Sequence, residues 1–344
     1  MSVTIKDVAK LAGVSIATAS VAINQKSGVS AKARKSVSDA VEKLGYKPNH
    51  YARRLITKRS KTVGLIVSDI LNPFFGLVIR NIQHDIEKLG YTLLLGVSNE
   101  QITMEKKIVD YFVEMDIEGL IIVPSLEKEP DLGHLYNLKK LGIPFVFITT
   151  YYKQIEADII MSDLGEGSYQ LTKYLLENGK EKIYFLYGFN NLELSRLRLT
   201  GFIRAFKEYG MNYRDTQIVE CYPDYSNGYS VTKKVLAQEK PDAIITVNDM
   251  VALGAIKCLK DSNIKVPDEI SVAGYDDLLY ASILDTPLTT VKQPIEDICK
   301  ESVRTLMDRI NGQTYPKKAV LLEPSLIVRN STLGKIQGER LTGM

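Results

Sequence analysis

From Thr62 onward, short apolar runs without polar alternation recur between amphipathic stretches, and this pattern restricts the fold more than any other feature of the chain. Val63-Gly64-Leu65-Ile66-Val67, Thr92-Leu93-Leu94-Leu95, Leu120-Ile121-Ile122-Val123 and Phe145-Val146-Phe147-Ile148 form one set. Ile183-Tyr184-Phe185-Leu186, Ala243-Ile244-Ile245-Thr246-Val247 and Ile270-Ser271-Val272-Ala273 form a second. Runs of this kind describe strands buried on both faces. Separated by helical stretches, they predict parallel, doubly wound α/β sheets. Two sets predict two lobes, about 62–161 and 162–290. Ligands of such sheets bind beyond the carboxyl ends of the strands, so the cleft between the lobes is the expected small-molecule site.

The first sixty residues differ. Thr4, with Asp7 three positions on, reads as a helix start, and Ile5, Val8, Ala9 and Ala12 share one helical face. Gly13 breaks that helix and Ser15 caps a second, expected to run to about Asn24 with Ala19, Ala22 and Ile23 inward. Ser30 opens a third helix with the stripe Ala33, Val37, Ala40, Val41 and Leu44, closed by Gly45. Two helices joined through Ala12-Gly13-Val14-Ser15 carry the helix-turn-helix signature. Residues 1–60 hold twelve Lys and Arg against Asp7, Asp39 and Glu42, a net +9, although the whole chain carries only +3. A basic module on a mildly acidic body points to a polyanion partner for the module.

Thr4-Ile5-Lys6-Asp7-Val8-Ala9, Ala12-Gly13-Val14-Ser15, Thr18, Ser20, Asn24, Val29-Ser30 and Leu44-Gly45-Tyr46-Lys47-Pro48-Asn49 together closely resemble the headpiece of the LacI/GalR family of bacterial transcription regulators. The resemblance continues to about residue 329. It implies a three-helix DNA-binding headpiece (1–48), a hinge helix and linker (49–61) and a two-lobed, periplasmic-binding-protein-like core (62–344) whose C-terminal segments cross between the lobes. It further implies a homodimer on a near-palindromic operator in double-stranded DNA, and repression of a catabolic operon controlled by a sugar or sugar derivative. The helix from Ser15 to Asn24 would enter the major groove, with Thr4, Ser15, Thr18, Ser20 and Asn24 available to phosphates or base edges. Ile16, Ala17 and Val21 stand where relatives usually carry polar residues, and would meet thymine methyls instead. In the hinge, Tyr51, Ala52, Arg53, Arg54 and Leu55 would occupy a widened minor groove, with Leu55 as the wedge and the arginines on phosphates; Arg54 departs from the small residue usual there. The effector pocket would draw on Asp69, Phe74, Phe75, Arg198, Asn248 and Asp276. Thr149 replaces an acidic residue of some sugar-sensing relatives, and Pro223 replaces an aromatic platform for which Tyr222 or Tyr225 would substitute.

Other readings find less support. The histidines are His50, His84 and His134, and no nucleophile elbow or P-loop accompanies them. Gly165-Glu166-Gly167 lacks the third glycine of a dinucleotide fingerprint, so neither an enzyme nor a cofactor is expected. Asp276-Asp277 has no neighbouring metal ligands in the sequence. Cys221, Cys258 and Cys299 are odd in number and widely spaced, which fits a reducing cytoplasm rather than a disulfide framework. The first thirty residues contain no signal-peptide core, and no apolar run is long enough to span a bilayer.

Overall fold

Among the described residues of the N-terminal unit the chain forms three short helices: α1 (Ile5–Ala12), α2 (Ile16–Ile23) and α3 (Ala31–Leu44). The computed structural model describes residues 3–24, 27–46, 59–127, 130–189 and 193–332, in two units, Met1–Ser60 and Lys61–Met344. Thr4 donates its N–H and its hydroxyl to the Asp7 carboxylate at 2.9 and 2.7 Å, which closes the start of α1. Gly13 ends α1 at φ 65, the left-handed conformation that a side chain resists. Ser15 and Ser30 accept from the Thr18 and Ala33 N–H groups at 3.0 and 3.3 Å, capping α2 and α3. The interior is small: Val8, Ala9, Ala19, Ala22, Val37 and Ala40 are buried, flanked by Ile5, Ala12, Ile23, Val41 and Leu44.

The core unit contains two six-stranded sheets. The first consists of β1 (Thr62–Val67), β2 (Thr92–Val97), β3 (Gly119–Ile122), β4 (Phe145–Ile148), β5 (Asp158–Ser162) and β11 (Ala319–Leu322). Its order is β11-β5-β4-β3-β1-β2, parallel throughout. The second consists of β6 (Ile183–Leu186), β7 (Ile218–Val219), β8 (Ala243–Thr246), β9 (Ser271–Tyr275), β10 (Thr289–Lys292) and β12 (Ser325–Ile327), in the order β12-β10-β9-β8-β6-β7. Among the described residues only the β10–β12 pairing is antiparallel. Helices α4 (Pro73–Lys88), α5 (Ile102–Glu114) and α6 (Gly133–Leu141) belong to the first lobe; α7 (Leu164–Glu177), α8 (Glu193–Glu208), α9 (Tyr225–Gln238), α10 (Asp249–Asp261) and α11 (Leu279–Ile283) belong to the second.

Within the described residues the chain passes between the lobes three times. After β5 it enters the second lobe; after β10 it returns, and α12 (Ile295–Ile310) packs Ile298, Val303 and Leu306 into the first-lobe interior beside β1 and α4. It leaves again after β11 to place β12 in the second sheet. β1, β3, β4, β6 and β8 are buried almost throughout, as their unbroken apolar runs require. β2 is a correction: it lies at a sheet edge with mixed burial, and Leu95 is 47% exposed. A run of leucines cannot reveal strand order.

Among the described residues no helix is long and apolar enough to cross a membrane, and no cluster of His, Cys, Asp and Glu is arranged to hold a metal ion. Gly165 and Gly167 have a packing role instead. A Cβ on Gly201 in α8 would lie 2.0 Å from the Gly165 carbonyl oxygen, and one on Gly167 would lie 2.4 Å from the Tyr275 hydroxyl.

Candidate functional site: a cleft between strand ends

The carboxyl ends of β1 to β4 face those of β6, β8 and β9 across a cavity of about 120 Å3. One buried water needs about 10–15 Å3 on that scale, so the space suits a small polar molecule. The first lobe contributes Ser68 and Asn72 after β1, Glu100 after β2, Pro124 and Leu126 after β3, and Thr149 and Thr150 after β4. Asn72 caps α4 by accepting the Phe74 N–H at 3.1 Å, which turns Phe74 and Phe75 onto the cavity. Their rings meet edge to face at 5.3 Å.

The second lobe supplies most of the polar groups. Arg198 is 7% exposed, its guanidinium lies 4.4 Å above the Tyr275 ring, and its Nε has no partner among the described residues. Asp276, also 7% exposed, accepts from the Gln293 side-chain amide at 2.7 Å. Burial pushes the Asp276 carboxyl up to about 7, against the opposing pull of Arg198 and Gln293. Asp249 lies behind it, fully buried, accepting from the Thr290 hydroxyl at 2.6 Å and the Leu278 N–H at 2.8 Å. Burial and the Asp276 charge hold its carboxyl well above the usual carboxylate range. Asn248 faces the cavity while its Oδ1 caps α10 through the Val251 N–H and its amide donates to the Pro223 carbonyl.

Backbone strain gathers at the same strand ends. Glu100, Thr149 and Asp276 have φ of 58°, 63° and 111°. For a β-branched residue such as Thr149 this is a costly conformation, and such residues concentrate at binding and catalytic sites.

Of the six residues expected to form the pocket, Phe74, Phe75, Arg198, Asn248 and Asp276 line the cavity. Asp69 does not; its carboxylate turns back to accept the Leu71 N–H at 2.8 Å, and Ser68 and Asn72 take the lining positions on either side. Thr149 and Pro223 are in the lining as well. Tyr225 lines a separate groove with Leu253 and Lys257. Tyr222 meets the cavity only through Phe189, ring to ring at 5.7 Å. Phe189, Glu100 and Gln293 escaped the sequence reading. The first two follow apolar runs by a few residues, and asking what succeeds each strand would have found them.

In the headpiece, Ser15, Ile16 and Ala17 are exposed at the start of α2, and Thr18, Ser20, Val21 and Asn24 are half-buried. Several polar groups expected to meet DNA have local partners. The Thr4 hydroxyl holds Asp7, Ser15 caps α2, and the Asn24 amide donates to the Ser20 carbonyl at 2.8 Å. Tyr51, Ala52, Arg53, Arg54 and Leu55 lie outside the described residues.

A headpiece of this form joined to a core of this form decides the family. Residues 4–49 match the model of bacterial regulatory proteins of the lacI family, and residues 172–332 match a periplasmic binding protein-like domain. The HTH-type transcriptional regulator DegA of Bacillus subtilis (strain 168) is 32% identical over 332 residues, 96% of this chain and 98% of its own. The chain belongs to the LacI family. The HTH-type transcriptional repressor PurR of Pasteurella multocida (strain Pm70) is 30% identical over 97% of this chain and 99% of its own. Among solved structures, the lac repressor dimer bound to operator and an anti-inducer has a TM-score of 0.86 at 28% identity, covering 97% of this chain and all of its own. The transcriptional regulator CelR in complex with cellobiose has a TM-score of 0.73 at 28% identity, covering 96% of this chain and 99% of its own. This LacI-family member is accordingly a DNA-binding transcriptional repressor with a ligand-binding core, and its relatives are regulators, not enzymes.

Proposed function

We propose that this repressor acts in the cytoplasm as a homodimer on a near-palindromic operator of a catabolic operon, and that a sugar or sugar derivative in the cleft sets its operator affinity. The observation that carries this reading is the cavity itself. Carboxylate, amide and guanidinium groups of Asp276, Gln293, Asn248 and Arg198 converge on it beside the rings of Phe74 and Phe75. Convergent polar groups fix hydroxyl orientation, while aromatic faces cover the apolar side of a pyranose or furanose ring. The structural relative CelR was solved in complex with cellobiose, which supports a sugar as effector. Dimerisation is supported by apolar side chains that the core leaves uncovered: Leu71, Leu279 and Ile283 are 84%, 73% and 66% exposed.

In this reading Ile16, Ala17 and Val21 read thymine methyls, Thr4, Ser15, Thr18, Ser20 and Asn24 hold phosphates and base edges, and Tyr51 to Arg54 track the minor groove into which Leu55 wedges. Two symmetric headpieces require a symmetric operator. An effector that bridges both lobes shifts operator affinity only by its differential affinity for two lobe arrangements, about 1–3 kcal/mol or roughly 5–150-fold. Calorimetry with a sugar identified by thermal-shift screening tests the pocket: Arg198→Ala and Asp276→Ala should abolish binding and the operator response while ligand-free operator binding persists. Full-strength sugar binding to both variants would place the effector elsewhere.

A further inference from the structure

We propose that Glu100 selects effectors carrying an amino group, so that the cleft prefers an amino sugar to the neutral sugar of the same stereochemistry. This rests on the cleft being a sugar site and sharpens its chemistry.

Glu100 follows the edge strand β2 with its backbone at φ 58, beside Asn99 at φ 50. Its N–H donates to the Ser68 carbonyl at 3.1 Å, which fixes that turn against the exit of β1. Its side chain lies in the cavity wall, where Oε2 accepts the Leu126 N–H at 3.0 Å and the carboxylate also takes a hydrogen bond from Ser68. An ionised carboxylate has about four acceptor positions, so two protein donors leave room for a ligand. Glu100 has no ion-pair partner among the described residues, and burial, together with the carboxylates of Asp69 and Glu105, raises its carboxyl above the ordinary value, so that a cation in the cavity would be needed to hold it ionised.

The cation of the cavity does not offset this charge. Arg198 is the single cation among the described lining residues; its guanidinium lies over the Tyr275 ring, and its charge acts on Asp276 in the same lobe. Its Nε is buried without a hydrogen-bond partner among the described residues. On the second-lobe side, Phe189 lines the cavity and stacks edge-on with Tyr222, whose hydroxyl senses the carboxylates of Glu100 and Asp69. An ammonium beside Glu100 gains a charge-assisted hydrogen bond and an aromatic face nearby, neither of which a hydroxyl receives to the same degree. A phosphate or carboxylate at that place would be repelled.

Calorimetry on the full chain with matched pairs tests this: glucosamine with glucose, galactosamine with galactose, mannosamine with mannose, and 6-amino-6-deoxyglucose with glucose. In at least one pair the amino member should bind about tenfold tighter, and Glu100→Gln should bring the ratio within the pair close to one. Asp69→Asn, which leaves Glu100 in place, should reduce the ratio by a smaller factor. If the neutral members bind as tightly as the amino members, or if the preference survives Glu100→Gln, the inference fails while the sugar reading stands. If no member of any pair binds, this inference fails, while the sugar reading is decided separately by the thermal-shift screen.

Discussion

Helices of the second lobe meet backbone to backbone, whereas the first lobe closes its interior with side chains and, at one point, a buried carboxylate. A Cβ on Gly254 would lie 2.1 Å from the Tyr225 carbonyl oxygen, and one on Gly228 would lie 2.3 Å from that of Val251, which locks α9 against α10. Gly201 and Gly165 bring α8 and α7 equally close. The tight glycines of the first lobe face side chains instead: Gly96 sits under Ile108, and Gly64 under Phe112 and Leu120. Near the first-lobe strand ends, Glu105 is fully buried and accepts the Ser125 N–H and hydroxyl and the Tyr152 hydroxyl at 3.0, 2.9 and 2.8 Å, with His134 Nε2 at 2.8 Å. Atoms of a side chain can rotate away from an intruder; a helix backbone cannot. The second lobe is therefore a stiff frame for Arg198, Asn248 and Asp276, and the first a more adaptable wall whose loops are tied through one carboxylate.

The sharpest way to break this contrast is a methyl group. Gly254→Ala should cost more than about 4 kcal/mol, beyond the usual 1–3 for overpacking, and leave little folded protein; Gly96→Ala should cost only about 1–2. Equal losses in chemical denaturation would refute the distinction between the lobes.

Next in size is a pH effect confined to the second lobe. The folded-state pKa of Asp276, about 7, lies above its ordinary value of 3.8, so the folded protein holds that proton more tightly than the unfolded chain. The resulting stability is present at low pH and lost as pH rises through about 7. Asp276→Asn should therefore gain on the parent between about pH 4 and 7, by up to about 4 kcal/mol in total, and the difference should level off above about pH 7. Parallel stability–pH curves for parent and variant would contradict this.

Glu105→Gln tests the first-lobe hub. It keeps the shape but places an amide among donors, and should cost about 2 kcal/mol while weakening effector affinity several-fold, because Pro124, Leu126 and Thr150 adjoin the tied residues. Stability loss without any change in effector affinity would show that the hub does not reach the cleft.

The smallest effect concerns the contact joining the lobes at the surface. Lys153, between β4 and β5, meets Glu193 of α8 at 2.6 Å, with the lysine side chain 53% exposed. Exposed pairs contribute little, so Lys153→Ala should alter effector affinity by less than about fivefold. A larger change in calorimetry would make this pair a latch on the closed cleft.

The parts of this structure legible in the sequence are those whose environment is uniform. β1, β3, β4, β6 and β8 are buried on both faces, so composition alone announces them. The headpiece helices carry their own caps in Thr4, Ser15, Ser30, Gly13 and Gly45. The strands left unread were short, at an edge or mixed in polarity: Ile218–Val219 has two residues, and Thr289–Lys292 has one apolar residue among four. Gln293 was missed with its strand. Arg198 and Asp276 were reached through family resemblance, since nothing local distinguishes a cavity arginine from a surface one. Asp69 was drawn in by its place at a strand end, yet a two-residue turn to Leu71 redirects its carboxylate, a choice set by backbone direction and not by residue type.

The threefold passage between lobes bears on how the molecule is made. The first sheet ends at β11, residues 319–322, and its interior is sealed by α12, residues 295–310. During synthesis, at about 5–20 residues per second, β5 therefore waits with an unpaired edge while the whole second lobe emerges. Neither lobe can finish before the last tenth of the chain is delivered, because β12 completes the other sheet. Maturation is a joint event of both lobes, and a ribosome stalled before residue 319 would release a chain with an open sheet edge, the kind of surface on which aggregation starts.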